Sequence, residues 1–163
     1  MKKLNFGCGT DIRKGWDNCD IQEGRGVISF DANIFPYKKL KDNFYDYIYL
    51  REILPAVNEP DMVLFELWKK AKSNAIIEIE VPYYNNKGAI NYIKLKHLFN
   101  DEVFKIFVEE KSIINKKKKF KILELKLEPT RIGRIFPKYI RERLALFIGG
   151  LISKVHVKLK VVK

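Results

Sequence analysis

The segment LNFGCGTDIRKGWDNCDI, residues 4–21, contains two short apolar stretches, each ending at a position suited to a ligand. Leu4 to Phe6 predicts a strand that runs directly into the turn Gly7 to Gly9, and Trp16 to Ile21 predicts a second strand. Glycine after a strand lets the chain turn sharply and lets a ligand approach the backbone. Asp20 carries two oxygens that can accept hydrogen bonds from a ribose diol. These residues favour a nucleoside site, with an ordinary tight turn as the alternative.

The remaining sequence alternates between strand-like and helix-like patterns. Apolar spacing predicts helices within 59–73 and from residue 100 onward. The connections 10–15 and 22–26 are too short for full helices between the first three strands. We predict one domain, residues 1–163, with an α/β, Rossmann-like sheet that is mostly parallel and ends in an antiparallel strand pair. The further strands are predicted at residues 26–32, 44–52, 74–81, 120–128 and 155–163.

Positive charge is concentrated in the last third of the chain. Residues 1–110 have a net charge of −1, whereas residues 111–163 have a net charge of +13. Three interpretations stay open: a solvated face, a surface for an anionic substrate or membrane, and a nucleic-acid track. Few aromatic side chains are interleaved with these lysines and arginines, so we favour the first two over nucleic acid.

Residues 129–153 are predicted to form a basic amphipathic helical insert between the last two strands. Helical spacing over 137–152 places Ile140, Leu144 and Phe147 on one stripe with basic residues beside it. Such a stripe suits a helix lying on an anionic membrane surface, or one binding a lipid-linked substrate, through residues 131–152. Packing of the stripe on the sheet or on a partner subunit is the alternative.

The number of cysteines and the length of the apolar runs bear on two predictions, the metal content and the cellular compartment. Cys8 and Cys19 alone cannot build a disulfide framework or a metal site, so no metal is predicted. The sequence contains neither a signal-peptide pattern nor an apolar run near 20 residues. We expect a cytoplasmic protein, either free or peripheral at a membrane.

The motif LNFGCG followed by GWDNCDI resembles class I S-adenosylmethionine-dependent methyltransferases, in which LNLGCG is closely followed by GWVNVDI. The resemblance continues through residues 27–54, 65–82 and 97–107. It implies that the chain binds S-adenosylmethionine and transfers its methyl group. By this resemblance, Gly7, Cys8 and Gly9 form the turn below the methionine part of the cofactor, and Asp20 binds the ribose hydroxyls. Asp31 and Ala32 contact the adenine, and Leu50 and Arg51 close the cofactor pocket.

Candidates for the acceptor side are predicted at strand ends and in one loop. His97 and Glu52 are the candidate general bases, needed only if the acceptor is a hydroxyl. Tyr83 and Tyr84 are predicted to contact substrate. The alternative for His97 is a structural or substrate-contact role. The alternative for Glu52, Tyr83 and Tyr84 is that they only form the wall of the pocket. Cys8 is interpreted as a packing residue and not as a nucleophile.

The predicted function is methyl transfer to a small or lipid-linked acceptor. Two alternatives stay open: a non-catalytic binding or assembly protein on the same fold, and an RNA-modifying enzyme that uses the basic C-terminal region. The first alternative is motivated by Pro55 and Ala56, which stand where the resembling proteins often have Glu-His. The second predicts RNA binding that weakens steeply with salt.

Overall fold

The computed structural model describes residues 1–109 and 119–163, which form seven strands and three α-helices. Residues 110–118, which include the start of the basic C-terminal third, lie outside these ranges. The strands are β1 (Lys3–Phe6), β2 (Asp17–Asp20), β3 (Val27–Ser29), β4 (Tyr45–Arg51), β5 (Ala71–Pro82), β6 (Phe120–Pro129) and β7 (Ile152–Val161). The helices are α1 (Pro60–Lys70), α2 (Asp101–Glu109) and α3 (Lys138–Leu144).

All seven strands belong to one sheet, in the order β3-β2-β1-β4-β5-β7-β6. The first five strands pair in parallel. β7 runs antiparallel to both β5 and β6. The predicted mixed sheet with a C-terminal antiparallel pair is therefore confirmed. Within the described residues, the connections from β1 to β2 and from β2 to β3 contain no helix, as their lengths predict.

One face of the sheet carries the apolar core. The pairing register places Phe6 beside Leu50 and Leu50 beside Ile79, and all three side chains are at most 1% exposed. Leu67 of α1 and Phe104 of α2 pack into the same cluster. Helical spacing on these two segments therefore buries an apolar stripe against the sheet, which is the main stabilising contribution in a domain of this size.

A loop takes the place of a helix over part of the opposite face. Asn5 alternates with Leu4 and Phe6 along β1, so its side chain lies on that opposite face. Asn5 and Asn18 are both 3% exposed and bond to each other, with Nδ2 of Asn5 3.1 Å from Oδ1 of Asn18. The Arg13 guanidinium lies 3.9 Å from the ring centroid of Tyr49. The polar strand residues thus hold the connection between β1 and β2 against the sheet.

The insert between β6 and β7 differs from its prediction. Only Lys138–Leu144 is α-helical, so the helix predicted over 137–152 is wrong in its second half. Beyond Leu144 the backbone of the insert is attached to Asn85. The Asn85 side chain donates to the Ala145 carbonyl at 3.2 Å, and the Gly150 amide donates to the Asn85 carbonyl at 3.0 Å. A longer helix would have to break this attachment.

The apolar stripe predicted for the insert is covered in part. Leu144 packs against the core, and Leu151 and Ile152 are buried at the start of β7, whereas Ile140 is 47% exposed and Phe147 is 85% exposed. Packing on the core therefore accounts for the first three residues and not for Ile140 and Phe147. None of the helices in residues 1–109 and 119–163 has the length and apolar character needed to cross a membrane.

Candidate functional site

A pocket of about 650 Å³ opens at the carboxyl ends of β1, β2 and β3. Its wall includes four of the predicted cofactor residues, Gly7, Asp20, Asp31 and Ala32, and the predicted base Glu52. Parallel strands deliver their ends to one edge of a sheet, which explains why residues far apart in sequence meet there. The volume lies within the range of small-molecule and cofactor sites.

The turn after β1 requires glycine at its first position. Gly7 has φ = +70°, and a Cβ at this position would lie 2.8 Å from both Cβ and Cγ1 of Ile53. The amides of Gly7 and Cys8 both donate to the Cys19 carbonyl at 2.9 Å. The turn is therefore fixed to β2 on one side and closely packed by Ile53 on the other.

The carboxylate of Asp20 is held in place by two backbone amides. Oδ2 accepts from the Gly9 amide at 2.8 Å, and Oδ1 accepts from the Gln22 amide at 3.0 Å. A carboxylate offers about four lone-pair directions, so each oxygen can still accept one hydrogen bond from a ligand in the pocket. Asp20 is therefore an oriented acceptor pair suited to two neighbouring hydroxyl groups.

A second carboxylate, that of Asp31, is also oriented in the pocket wall. Oδ1 of Asp31 accepts from the Asn33 amide at 2.8 Å and from the Asn33 side chain at 3.0 Å. The Asn33 side chain also accepts from the Asn58 amide at 2.7 Å, which ties this loop to the segment after β4. The Tyr37 hydroxyl donates to the Ala32 carbonyl at 2.7 Å. Asp31 and Ala32 are thus positioned for a planar ligand with a hydrogen-bond donor.

Four of the predicted cofactor residues lie outside this wall. Cys8 is 5% exposed, and burial, followed by the charges of Asp20 and Asp11, raises the pKa of its thiol. Leu50 is fully buried in the core. Gly9 supports Asp20 through its amide, so its contribution to the pocket is indirect. Arg51 is directed toward Asp11, with Nη1 3.8 Å from Oδ2.

The two candidate bases occupy different surroundings. Glu52 lines the pocket with φ = +59°, a backbone conformation that is unfavourable for a residue with a side chain and that occurs often at functional sites. His97 lies beside the pocket and outside its wall, with Nε2 3.1 Å from the Asn58 carbonyl oxygen. Glu52 is therefore the better placed of the two to meet a ligand.

Tyr83 and Tyr84 lie at the junction between β5 and the insert, away from the pocket wall. Their ring centroids are 4.8 Å apart. Tyr83 is 3% exposed, and burial raises the pKa of its hydroxyl to about 12. The Tyr84 hydroxyl is 3.5 Å from the Leu146 carbonyl. The structure thus brings these two residues together without bringing them to the pocket.

One wall of the pocket is formed by residues that sequence reasoning did not select. Tyr92, Ile93, Lys94 and Lys96 all line it, and they belong to the irregular segment after β5. The available signal was length, because loops longer than about 12–15 residues inside a compact domain are usually functional. Residues 83–100 form such a segment.

A separate polar cluster lies on the sheet face opposite the core. Glu78, Glu80 and His156 are close enough to hold a cation, with His156 Nε2 2.5 Å from Glu78 Oε1. Lys154 and the Tyr49 hydroxyl bond to Glu80, so Lys154 already supplies a compensating positive charge. We interpret the cluster as a largely buried ion-pair network in which Glu78 and Glu80 each have a hydrogen-bonding partner.

The network predicts a pH-dependent contribution to stability. Burial alone would raise the pKa of Glu80, but hydrogen bonds from Lys154 and Tyr49 outweigh it and hold that pKa below its usual value. A depressed folded-state pKa stabilises the fold above the unfolded value of about 4.3, and the contribution is lost as the pH falls through the folded value. Urea unfolding is expected to show wild type more stable than Glu80→Gln at pH 7, with a smaller gap at pH 3. Glu128→Gln, at a more exposed carboxylate 3.5 Å from Lys154, should give a smaller gap at pH 7.

Comparisons with known proteins relate this chain to others through structure alone. No family model matches the sequence, and no curated protein matches it. A SAM dependent methyltransferase from Archaeoglobus fulgidus is 16% identical, with a TM-score of 0.67 over 98% of this chain and 86% of that one. An S-adenosylmethionine dependent methyltransferase from Mesorhizobium loti is 12% identical, with a TM-score of 0.66 over 98% and 90%.

A third similar structure carries a different activity in its name. The [4+2]-cyclase SpnF is 15% identical, with a TM-score of 0.66 over 99% of this chain and 74% of that one. At these identities the likeness establishes the fold, which is the class I methyltransferase fold predicted from the sequence. Because proteins with different named activities share it, the function has to be argued from the residues of the pocket.

Proposed function

We propose that this protein is an S-adenosylmethionine-dependent methyltransferase that acts on a small or lipid-linked acceptor. The single observation that carries the proposal is the oriented carboxylate of Asp20 beside the Gly7 turn, in one pocket at the carboxyl ends of β1 and β2. The side chains that line the pocket suit the groups of this cofactor. Asp20 offers paired acceptors to the ribose hydroxyls, and Asp31 with Ala32 offers an acceptor and an apolar surface to the adenine.

Within this proposal the protein supplies binding and alignment. S-adenosylmethionine brings a methyl group that is already activated on a sulfonium, so no metal is required. The pocket wall holds an acceptor in line with that methyl group and excludes water. For a hydroxyl acceptor, Glu52 accepts the proton released as the new carbon–oxygen bond forms and the carbon–sulfur bond breaks. For an amine acceptor, alignment alone is sufficient.

The test is calorimetric titration of the purified protein with S-adenosylmethionine and S-adenosylhomocysteine. Replacing Asp20 by alanine leaves the ribose hydroxyls without their acceptors, so we expect binding to weaken by about 1–3 kcal/mol, or roughly 5- to 150-fold. Glu23→Ala removes the same charge from an exposed position nearby and should bind as wild type does. Thermal unfolding of each variant separates lost binding from lost folding.

Two results would oppose the proposal in different ways. If folded wild type binds neither ligand at millimolar concentration, the cofactor is wrong, and the non-catalytic binding or assembly protein becomes the better hypothesis. If Asp20→Ala and wild type bind equally, the cofactor stands but its site is elsewhere. The RNA-modifying alternative would instead require RNA binding that falls steeply as salt rises.

A further inference from the structure

The insert between β6 and β7 exposes an unusual amount of apolar surface. Ile135 is 77% exposed and Phe147 is 85% exposed. Monomeric proteins rarely expose large contiguous apolar areas unless these contact a partner or a membrane. The exposed large apolar side chains that the argument uses are Ile132, Ile135, Tyr139, Leu146, Phe147 and Ile148.

The exposure occurs in a segment whose inner side is firmly attached. The Thr130 hydroxyl donates to the Gly150 carbonyl at 2.6 Å and accepts from the Gly133 amide at 3.0 Å. A Cβ on Gly133 would lie 1.9 Å from the Leu151 carbonyl oxygen, so only glycine fits there. The Arg141 guanidinium donates to the Gly133 carbonyl at 3.3 Å. Hydrogen bonds and close contacts on the inner side of the insert therefore fix the conformation in which these apolar side chains are exposed.

The charges around these apolar groups are almost all positive. Between residues 130 and 151 the basic residues are Arg131, Arg134, Lys138, Arg141 and Arg143, and Glu142 is the single acidic residue. Apolar side chains mixed with a basic surround match a bilayer with anionic headgroups, in which both kinds of group find a favourable environment. A nucleic-acid surface interleaves several aromatic rings with its basic groups. Four of these six side chains are aliphatic, and among the described residues Tyr139 is the one ring of the set that lies against a basic group, 4.4 Å from the Arg143 guanidinium.

A second segment with the same chemistry lies at the same edge of the sheet. Ile90 is 74% exposed and Ile93 is 96% exposed, and residues 83–100 contain three lysines and no acidic residue. This segment begins after Pro82, and the insert joins Pro129 to Ile152. The pairing of β5 and β6 with β7 puts all three positions at one end of the sheet.

The two segments are joined to each other and to the pocket. The Asn86 side chain donates to the Ile152 carbonyl at 3.0 Å, and Asn85 bonds to the Ala145 carbonyl. The segment 83–100 also supplies Tyr92 and Lys94 to the pocket wall. A surface that contacts these segments therefore lies next to the opening of the proposed cofactor site.

We propose that residues 87–98 and 130–149 together dock the protein on a bilayer containing anionic phospholipid, so that an acceptor held in that bilayer reaches the pocket. The part concerning the acceptor rests on the proposed methyl transfer, whereas the docking itself does not. Basic residues near an anionic surface each strengthen binding, and buried apolar side chains add to it. Docking should therefore need both kinds of side chain and should weaken in high salt, which screens charges.

The experiment is flotation of the full-length protein with two kinds of vesicle, one of phosphatidylcholine alone and one with about 30% phosphatidylglycerol. Wild type is expected to float with the anionic vesicles and to remain below with the neutral ones, and 0.5 M salt should reduce flotation. Arg131→Glu/Arg134→Glu and Ile135→Ser/Phe147→Ser should each lower the partition coefficient on the order of tenfold or more. The changed residues are exposed, so thermal unfolding should match wild type.

Matched control variants carry the same substitutions at exposed positions outside the two segments. Lys41→Glu/Lys121→Glu and Leu123→Ser/Val162→Ser should float as wild type does. The docking proposal is overturned if wild type does not bind anionic vesicles, or if patch and control variants lose binding equally. It is also overturned if the patch variants change only the oligomeric state measured by light scattering, which would assign the surface to a second copy. Failure of cofactor binding in calorimetry would reject the methyl-transfer proposal and leave the flotation result standing.

Discussion

Replacing Gly7 by alanine is expected to lower the free energy of unfolding by about 2–5 kcal/mol and to abolish S-adenosylmethionine binding. A positive φ costs a residue with a side chain about 1–2 kcal/mol. Forcing an extra carbon into a packed site costs about 1–3 kcal/mol more. The new carbon would lie 2.8 Å from Cβ of Ile53, an atom that cannot rotate away because it is attached directly to the backbone. Urea unfolding followed by circular dichroism measures the first effect, and calorimetry measures the second.

Gly15→Ala provides the matched control for this prediction. Gly15 has φ = +78°, close to that of Gly7, but no atom beyond Gly15 and its two neighbours in the chain lies within 4 Å of the position a Cβ would take. Its replacement should therefore cost only the conformational part, about 1–2 kcal/mol. The difference between the two variants measures the contact with Ile53. Equal losses would show that this contact tolerates a side chain, contrary to the geometry of the turn.

The cause of the binding loss is also specific. Ile53 and Gly7 both line the pocket, so either one must move to accept the new carbon. The amide of Gly9 is attached to Asp20, and a displaced turn would disturb that carboxylate as well. A Gly7→Ala protein that is folded at low temperature and still binds the cofactor as wild type does would contradict this account of the site.

The site residues that could be predicted from the sequence are those whose position follows from the pattern of their immediate neighbours in the chain. Gly7 and Asp20 follow predicted strands directly, and parallel strands always bring such positions to the same edge. Asp31 and Ala32 were placed by the resemblance and also line the pocket. Whether these residues bind the proposed cofactor is a separate question, which the titration addresses.

Other features depend on contacts between distant segments, which a single sequence does not reveal. Beyond the end of the helix at Leu144, the Ala145 carbonyl accepts a hydrogen bond from Asn85, 60 residues earlier in the chain. The lysines at 94 and 96 reach the pocket only because of the path of the long segment after β5. Arg51 alternates away from the core side of β4, and an error of one residue in register is enough to misplace such a side chain.

Asn18 is a further residue whose role is specified only by the structure. It stands in the motif that carries the resemblance, but the motif does not reveal that its side chain is 3% exposed. Its Oδ1 accepts from the Arg13 amide at 2.9 Å, and its Nδ2 donates to the carbonyls of Arg13 and Trp16 at 3.0 and 3.1 Å. With its bond to Asn5, the side chain uses both of its donors and accepts twice. It therefore acts as the attachment point for a connection that lacks a helix.

Asn18→Ala is expected to destabilise the protein by about 3–5 kcal/mol, measured by urea unfolding. The substitution removes four hydrogen bonds and leaves the Arg13 amide and the Trp16 carbonyl, which belong to half-buried residues, without the Asn18 side chain as partner. Each such group costs about 1–3 kcal/mol if water cannot reach it. Partial entry of water keeps the total below the sum of these costs. Asn91→Ala, at an exposed position, should change stability by less than about 0.5 kcal/mol.

A double-mutant cycle with Asn5→Ala tests whether the two side chains act as one unit. Asn5 also donates to the Asp11 carbonyl at 2.6 Å, so both residues hold the same connection. Once either is removed, the connection is already loosened, and the second substitution should cost less than it does alone. Strictly additive losses would mean that each side chain stabilises the strands separately. A non-additive result would show that the two side chains hold the connection between β1 and β2 as one unit.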